Sequence, residues 1–202
     1  AASDVYKRQE LAIAKWGLIP SWAKDPSMGA RMNNARAETV AEKPAFRAAF
    51  KRRRCLIPVD GWYEWKEEGG RKQPYFLHLG ENELASLAGV WEEWISPDGS
   101  PVESYAVITT EANEDAAQVH DRMPVIVEPA QCPLWLEGDT KEAGSLLRPL
   151  ERGKLRFHKV DRRMSSARVD DAACMAPSIS PAPDEPASKD DSPKGWKQES
   201  LL

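Results

Sequence analysis

The chain has 202 residues, a formal net charge of −4, 41% hydrophobic residues and 30% charged residues. This length and composition predict one soluble globular domain with a hydrophobic core and room for a tail. A membrane-spanning segment is excluded, because no apolar run approaches the ~20 residues that it needs, and no signal peptide is evident. The charge also excludes a broad basic surface, although a short basic groove stays compatible with it.

The cysteine pattern predicts a reduced protein without a metal centre. Cys55, Cys132 and Cys174 are far apart and form no C-x-x-C pair, which is typical of free thiols in a cytoplasmic protein. The three histidines are equally scattered, so a zinc site has no support. We expect no metal and no cofactor.

The first third of the chain predicts a strand followed by a helix. Residues 1–9, "AASDVYKRQ", form an atypical N-terminal segment, and the domain proper is placed at residues 10–175. "LAIAKWGLIPSW" is apolar and ends near a proline, which favours a buried strand. Thr39 and Glu42 resemble a capping box, and Pro44 suits a first helical turn.

The middle of the chain predicts β-hairpins, and the rest a few short elements. "CLIPVDGWYEW" leads through "KEEGGRKQ" into "PYFLHL", and a second turn, "SPDGS", joins two longer runs. Glycine-rich turns between alternating strands are typical of hairpins. The fold class is therefore α+β, a single domain dominated by antiparallel strands, as a distorted and incomplete β-barrel with short peripheral helices. Seven of the eight tryptophans precede Gly138, and we expect most of them to fill the core.

Residues 176–202 have a different composition from the domain. They are rich in proline, serine and charged residues. Such a segment cannot bury enough apolar surface to fold, so we predict a disordered tail.

Four polar clusters beside apolar strands could carry chemistry: Asn34 with Arg36, Glu64, Thr109 with Thr110, and His120 with Arg122. Glu64 lies among aromatic residues in "GWYEW", where a carboxyl tends to have a raised pKa that suits acid/base catalysis. A solvent-facing strand glutamate is an equal alternative. A lone histidine is more often structural, and strand threonines are usually only β-formers. Together the clusters suit a phosphate-bearing substrate that undergoes proton transfers at a carbonyl or sugar centre.

The ordered combination of motifs is more specific than its parts. "WGLIPSWAKD", "NARAET", "RCLIPVDGWYEW", "PYFLHL", "LAGVWEEW", "ITTEAN" and "HDRMPVI" resemble, in order and approximate spacing, the SOS-response-associated peptidase (SRAP) family of abasic-site processing proteins. The resemblance is strong from Lys15 to Leu136, looser up to about Pro177, and absent in the tail.

The resemblance implies binding to single-stranded DNA and a covalent crosslink at abasic sites. In the family, an N-terminal cysteine forms a Schiff base with the ring-opened sugar and closes a thiazolidine ring. An α-amine has a pKa of about 7.7–8.0, so part of it is nucleophilic at neutral pH. The implied setting is DNA damage and the SOS response, in a monomer located in the cytoplasm, nucleoid-associated or nuclear depending on the organism.

The resemblance also assigns roles to individual residues. Asn34 would orient the N-terminal amine, Glu64 would shuttle protons, and His120 would act as acid/base at the sugar oxygen. Four further residues would bind nucleic acid: Arg36 and Arg122 at the phosphates, Thr109 in the pocket, and Trp16 by base stacking. Burial of Trp16 in the core is an equal alternative.

The sequence departs from the family pattern at its beginning. Family members begin Met-Cys-Gly-Arg, whereas no cysteine precedes Trp16 here. We therefore expect this chain to bind DNA without forming the stable crosslink. Cys55 would not substitute, because an internal thiol lacks an adjacent free amine. Two alternative functions stay open: a non-enzymatic module that binds single-stranded nucleic acid or a modified base, and a hydrolase or self-processing peptidase that uses Glu64 and His120.

Overall fold

The computed structural model describes residues 10–166 and 168–178. The predictions for residues 1–9 and 179–202 lie outside this part of the chain. In the described part, a six-stranded sheet and a three-stranded sheet are accompanied by short helices, and the mixed sheets curl into a half-barrel. The predicted α+β class, dominated by antiparallel strands, is confirmed.

The strands are β1 Lys15–Trp16, β2 Asn34–Arg36, β3 Arg54–Val59, β4 Trp62–Glu68, β5 Arg71–His78, β6 Ala85–Ile95, β7 Pro101–Glu111, β8 Arg122–Pro124 and β9 Arg156–Lys159. The helices are α1 Arg47–Arg52, α2 Cys132–Glu137 and α3 Thr140–Gly144. Short 3-10 turns lie at Pro26–Arg31, Ala116–Gln118, Pro129–Gln131, Arg162–Ser165 and Ala172–Met175.

Strand β7 is the centre of the larger sheet. It pairs antiparallel with β6 and β8, and its other edge pairs parallel with β1 and then with β2. Strand β3 pairs with β6 on the far side. Because β1, β2 and β8 all depend on β7, residues from three separate parts of the sequence meet along this one strand.

The smaller sheet follows the order β4-β5-β9, and all its pairings are antiparallel. The predicted hairpin between β4 and β5 is present, and its turn is made by Gly69 and Gly70 with φ of 57° and 74°. Two consecutive residues with positive φ match the twist of a tight hairpin, and glycine adopts them without strain. The second predicted hairpin, between β6 and β7, is also present.

The core has two main parts on opposite faces of the larger sheet. One part contains Phe50 of α1 and Trp135 of α2 together with Ile108 of β7. The other contains Val107 of β7 and Leu77 of β5, so the smaller sheet packs over this face. Burial of these apolar side chains is the main favourable contribution to the free energy of folding.

Two expectations for the first third of the chain are wrong. The apolar segment forms a strand only at Lys15–Trp16, and Leu11 and Ile13 are exposed, because only Ser104 and Tyr105 pair with it. The predicted capping box is absent as well. Helix α1 begins after Phe46 without a side-chain cap, and the residues before it form turns.

The expectation that most tryptophans fill the core is also wrong. Among the described residues, only Trp94 and Trp135 are buried, whereas Trp16 and Trp22 are exposed. The others are partly exposed. The two buried indoles donate their N–H groups to the carbonyls of Ala23 and Cys55, as burial of an indole requires.

At the end of the described chain, Pro177 and Ser178 lie against the end of the smaller sheet. Pro177 forms a bridge with Val160, and the N–H of Ser178 donates to the carbonyl of Lys159 at 2.8 Å. His158 contacts the Met175 carbonyl at 2.8 Å.

Candidate functional site

Glu64 is the most unusual polar residue of the fold. It lies in β4 opposite Tyr75 and is 1% exposed. Burial, with a smaller contribution from Asp121, raises its carboxyl pKa from 4.5 to about 8, because a low-dielectric surrounding disfavours the charged form. Its Oε1 is buried and has no hydrogen-bond partner among the described residues. The solvent-facing alternative is therefore wrong, and Glu64 carries a proton at neutral pH.

His120 faces Glu64 from the loop that precedes β8. Its Nε2 lies 4.0 Å from Oε2 of Glu64, which is longer than a hydrogen bond. The backbone N–H of Arg122 donates to Nδ1 at 3.0 Å, and an Asp121 carboxylate oxygen lies 3.2 Å from the same nitrogen. Nδ1 thus faces the backbone of Arg122 and the Asp121 carboxylate, and Nε2 is the ring nitrogen that faces Glu64.

Arg122 is fixed by contacts on two sides. Its Nη1 and Nη2 donate to Oε1 and Oε2 of Glu38 at 2.6 and 3.1 Å. Nη2 also donates to the backbone carbonyl of Thr109 at 2.8 Å and lies 3.3 Å from its Oγ1. Thr109 is itself buried. The two-point contact with a carboxylate uses the planar geometry that distinguishes arginine from lysine.

Strand β2 places two further predicted residues beside β7. Asn34 pairs in register with Val107, and Arg36 with Thr109. Side chains alternate along a strand, so Asn34 and Arg36 share the face that carries Val107 and Thr109. Ala35 points the other way into the core. Asn34 is partly buried, and Arg36 is exposed.

Trp16 lies at the margin of this group. It pairs in register with Tyr105, and its indole Nε1 donates to the carbonyl of Asn33 at 2.9 Å. The side chain is 42% exposed, so its burial in the core is excluded. The hydrogen bond fixes the indole next to Asn34, with part of its ring open to solvent.

The structure thus gathers the predicted residues around β7 and the facing strand β4. Trp16, Asn34 and Arg36 come from its parallel partners, Thr109 from β7 itself, and the others from β4 and the segment leading into β8. No described group of three or more His, Cys, Asp or Glu residues could hold a metal ion. Within the described chain, no helix has the length and apolar character needed to span a membrane.

Sequence reasoning missed two residues of this group. Glu38 has no role in the sequence pattern, yet it binds Arg122 across 84 positions of sequence. Asp121 was not singled out, yet its exposed carboxylate contacts His120 and raises the pKa of Glu64. For Glu38, the only signal available in the sequence was its position two residues beyond Arg36, the spacing that places side chains on one face of an extended segment.

The sequence profile described as "SOS response associated peptidase (SRAP)" matches residues 2–167. The chain belongs to the SRAP family. It is 40% identical over 162 residues to the abasic site processing protein YoqW of Bacillus subtilis, covering 78% of this chain and 72% of that protein. It is 35% identical over 190 residues to the abasic site processing protein HMCES of Gallus gallus, covering 81% of this chain and 56% of that protein.

Solved structures show that the SRAP fold extends over most of the chain. The crystal structure of a protein from Bacteroides thetaiotaomicron superposes with a TM-score of 0.76 at 28% identity, covering 81% of this chain and 75% of that one. A protein from Bordetella bronchiseptica superposes with a TM-score of 0.67 at 26% identity, covering 74% and 77% respectively.

Proposed function

We propose that this SRAP domain binds single-stranded DNA at abasic sites and carries out proton transfers at the ring-opened sugar. The observation that carries the proposal is the pair formed by Glu64 and His120, a buried protonated carboxyl facing an imidazole at 4.0 Å. The names of the relatives, which are abasic site processing proteins, support the choice of substrate.

The two side chains suit the two protonation tasks of this chemistry. Opening the sugar ring moves a proton from the anomeric hydroxyl to the ring oxygen and produces an aldehyde. An imidazole such as that of His120 can donate a proton to one oxygen and accept a proton from another. One sugar hydroxyl beside the pair, off the line that joins Oε2 of Glu64 and Nε2 of His120, could lie within hydrogen-bond distance of both.

Glu64 would act in the covalent step. A primary amine adds to the aldehyde carbon, and the resulting hydroxyl must leave as water to form an imine. A carboxyl with a pKa of about 8 is protonated at neutral pH and can supply that proton. The proton on the nitrogen of the intermediate then returns to the Glu64 carboxylate, and a thiol adds to the imine carbon through its sulfur while the thiol proton passes to the nitrogen. In the family this amine and thiol belong to an N-terminal cysteine.

The surrounding residues would hold the strand. Arg36 is an exposed cation in register with buried Thr109, and Arg122 lies on the other side of the same threonine. Arginine side chains at this spacing suit two phosphates that flank one nucleotide. The exposed part of Trp16 offers a surface for base stacking, and Asn34 lies between these groups.

The test compares DNA binding with DNA crosslinking. Binding of a labelled single strand containing a tetrahydrofuran abasic analogue, an intact strand and a duplex is measured by fluorescence anisotropy. Crosslinking to a true abasic site is measured on denaturing gels, with this chain and with a chimera that begins Met-Cys-Gly-Arg and continues with the N-terminal segment of YoqW.

We expect preferential binding of the abasic strand and a heat-stable adduct with the chimera. Glu64→Gln in the chimera should slow the adduct by 10-fold or more while DNA binding persists. Binding without any adduct in either protein would favour a non-enzymatic binding module. Equal affinity for abasic and intact strands, with no adduct, would refute the proposal.

A further inference from the structure

Glu38 and Arg122 form an ion pair at the point where DNA would bind. Both guanidinium Nη atoms donate to the two carboxylate oxygens, at 2.6 and 3.1 Å. The Arg122 side chain is 17% exposed, whereas that of Glu38 is 50% exposed. The guanidinium of Arg122 thus contacts Thr109 on one side and the more exposed Glu38 carboxylate on another.

The ion pair changes what Arg122 offers to an anion. The hydrogen bond from Arg122 lowers the pKa of the Glu38 carboxyl below its usual range, so Glu38 is charged at neutral pH. A phosphate that approaches Arg122 therefore meets a neutral pair instead of a single cation. It must either displace Glu38 or share the guanidinium with it, and two anions on one guanidinium repel each other.

Arg36 provides the contrast within the same site. It is exposed and lies in register with Thr109, the residue that Arg122 contacts. Glu38 follows Arg36 by two residues, and the positive charge of Arg36 also lowers the pKa of Glu38. The charges of Arg36, Arg122 and Glu38 thus sum to +1, where the two arginines alone would sum to +2.

We propose that Glu38 competes with DNA phosphate for Arg122 and thereby determines the specificity of the site for damaged strands. The proposal rests on the proposed function, because it deepens the account of that same site. Nonspecific binding to single strands depends on phosphate charge. The carboxylate weakens an intact strand most, because that strand shares Arg122 with Glu38, whereas an abasic strand that is seated by contacts at Glu64 and His120 displaces Glu38 and is weakened less.

The experiment measures anisotropy of labelled single strands, intact or with a tetrahydrofuran abasic analogue, over a range of salt concentrations. The variants are Glu38→Gln, Arg122→Gln and the double variant, all in the full chain. Glu42→Gln is the matched control. Glu42 is an exposed glutamate four residues after Glu38, so this variant removes the same charge outside the ion pair. Glu38→Asp keeps the charge, and Glu38→Ala replaces the glutamine variant if that protein fails to fold by circular dichroism.

We expect Glu38→Gln to bind the intact strand about 3- to 10-fold more tightly than the wild type. The slope of log K against log salt should steepen by about 0.7, the value for one additional phosphate contact on a single strand. The ratio of affinities for abasic and intact strands should fall. Glu42→Gln should change the slope much less, and the gain should vanish in the double variant.

Two results would overturn the proposal. Weaker binding by Glu38→Gln with an unchanged slope would mean that Glu38 only positions Arg122, and behaviour equal to that of Glu42→Gln would mean a purely structural ion pair.

If the wild type binds no single strand, the proposed function fails, but Glu38 is still tested by titrating inorganic pyrophosphate and following the Arg122 side-chain NMR signals. Tighter pyrophosphate binding by Glu38→Gln would support competition, and equal binding would refute it.

Discussion

Oε2 of Glu64 lies 4.0 Å from Nε2 of His120, and the glutamate comes from the smaller sheet while the histidine comes from the loop beside the larger one. The packing of the two sheets therefore sets the distance between them. A shift of either sheet would separate the Glu64 carboxyl from the His120 imidazole. Four predictions follow from this arrangement and from the packing around it.

The stability of the protein should depend on the protonation of Glu64. The carboxyl pKa is about 8 in the folded protein against an ordinary value of 4.5, so between these values the folded state keeps a proton that the unfolded chain has lost. The contribution of Glu64 to the free energy of unfolding is fully present below about pH 4.5 and is lost as the pH rises through about 8. From about 1.4 kcal/mol per pKa unit, the loss is on the order of 5 kcal/mol.

Glu64→Gln removes this titration. Urea unfolding of both proteins at pH 5, 7 and 9 should show that the wild type loses several kcal/mol more than the variant between the extremes. Parallel pH profiles for the two proteins would show that the Glu64 carboxyl titrates in the same range when folded and unfolded.

Asp121→Asn should lower the pKa of Glu64. The Asp121 carboxylate disfavours a second negative charge nearby, but burial is the larger cause, so the pKa should fall and still stay above 4.5. The carboxyl ¹³C signal of Glu64, followed over a pH titration, measures the change. Glu81→Gln removes a charge from an exposed loop position and should leave this titration in place; an equal shift in both variants would argue for a general charge effect.

Cys55 should react slowly with thiol reagents. Burial raises its thiol pKa to about 12, so the thiolate that reacts is scarce at pH 8. Cys132 has a raised pKa as well, but the burial that causes it is less extensive. Iodoacetamide labelling followed by peptide mass spectrometry should modify Cys132 well before Cys55 in the folded protein. Equal rates in urea serve as the control, and early labelling of Cys55 in buffer would contradict its burial.

Gly61→Ala should destabilise the protein and disturb the position of Glu64. A Cβ at Gly61 would lie 2.3 Å from the Leu77 carbonyl oxygen and 2.5 Å from the Phe76 ring, so β4 would have to move away from β5. We expect a loss of about 1–3 kcal/mol. At Gly144, in the last turn of α3, a Cβ has open space, and Gly144→Ala should be neutral or slightly stabilising. Thermal unfolding compares the two, and similar melting temperatures would contradict the predicted clash.

The sequence alone determined the hairpins and predicted the residues of the candidate site. The turn of Gly69 and Gly70, the alternation around Glu64 and the ordered motifs are local signals, because hydrogen bonding in tight turns and side-chain alternation depend on neighbouring residues. The resemblance then assigned roles to Asn34 and His120. These local signals were enough to predict the fold class and the family, and they required no knowledge of contacts between residues that are distant in sequence.

Only the tertiary structure decided the rest, because it depends on contacts between distant parts of the chain. The strand at Lys15–Trp16 is short because so little of β7 pairs with it, and helix α1 starts late without the predicted cap. Glu64 is buried where the smaller sheet meets the segment that carries His120, and Arg122 is paired because β2 and β8 lie on opposite edges of β7. In the local pattern, Glu64 resembles an ordinary strand residue and Glu38 an ordinary turn residue. Only packing between distant segments buries Glu64 and so raises its pKa, and only packing pairs Glu38 with Arg122.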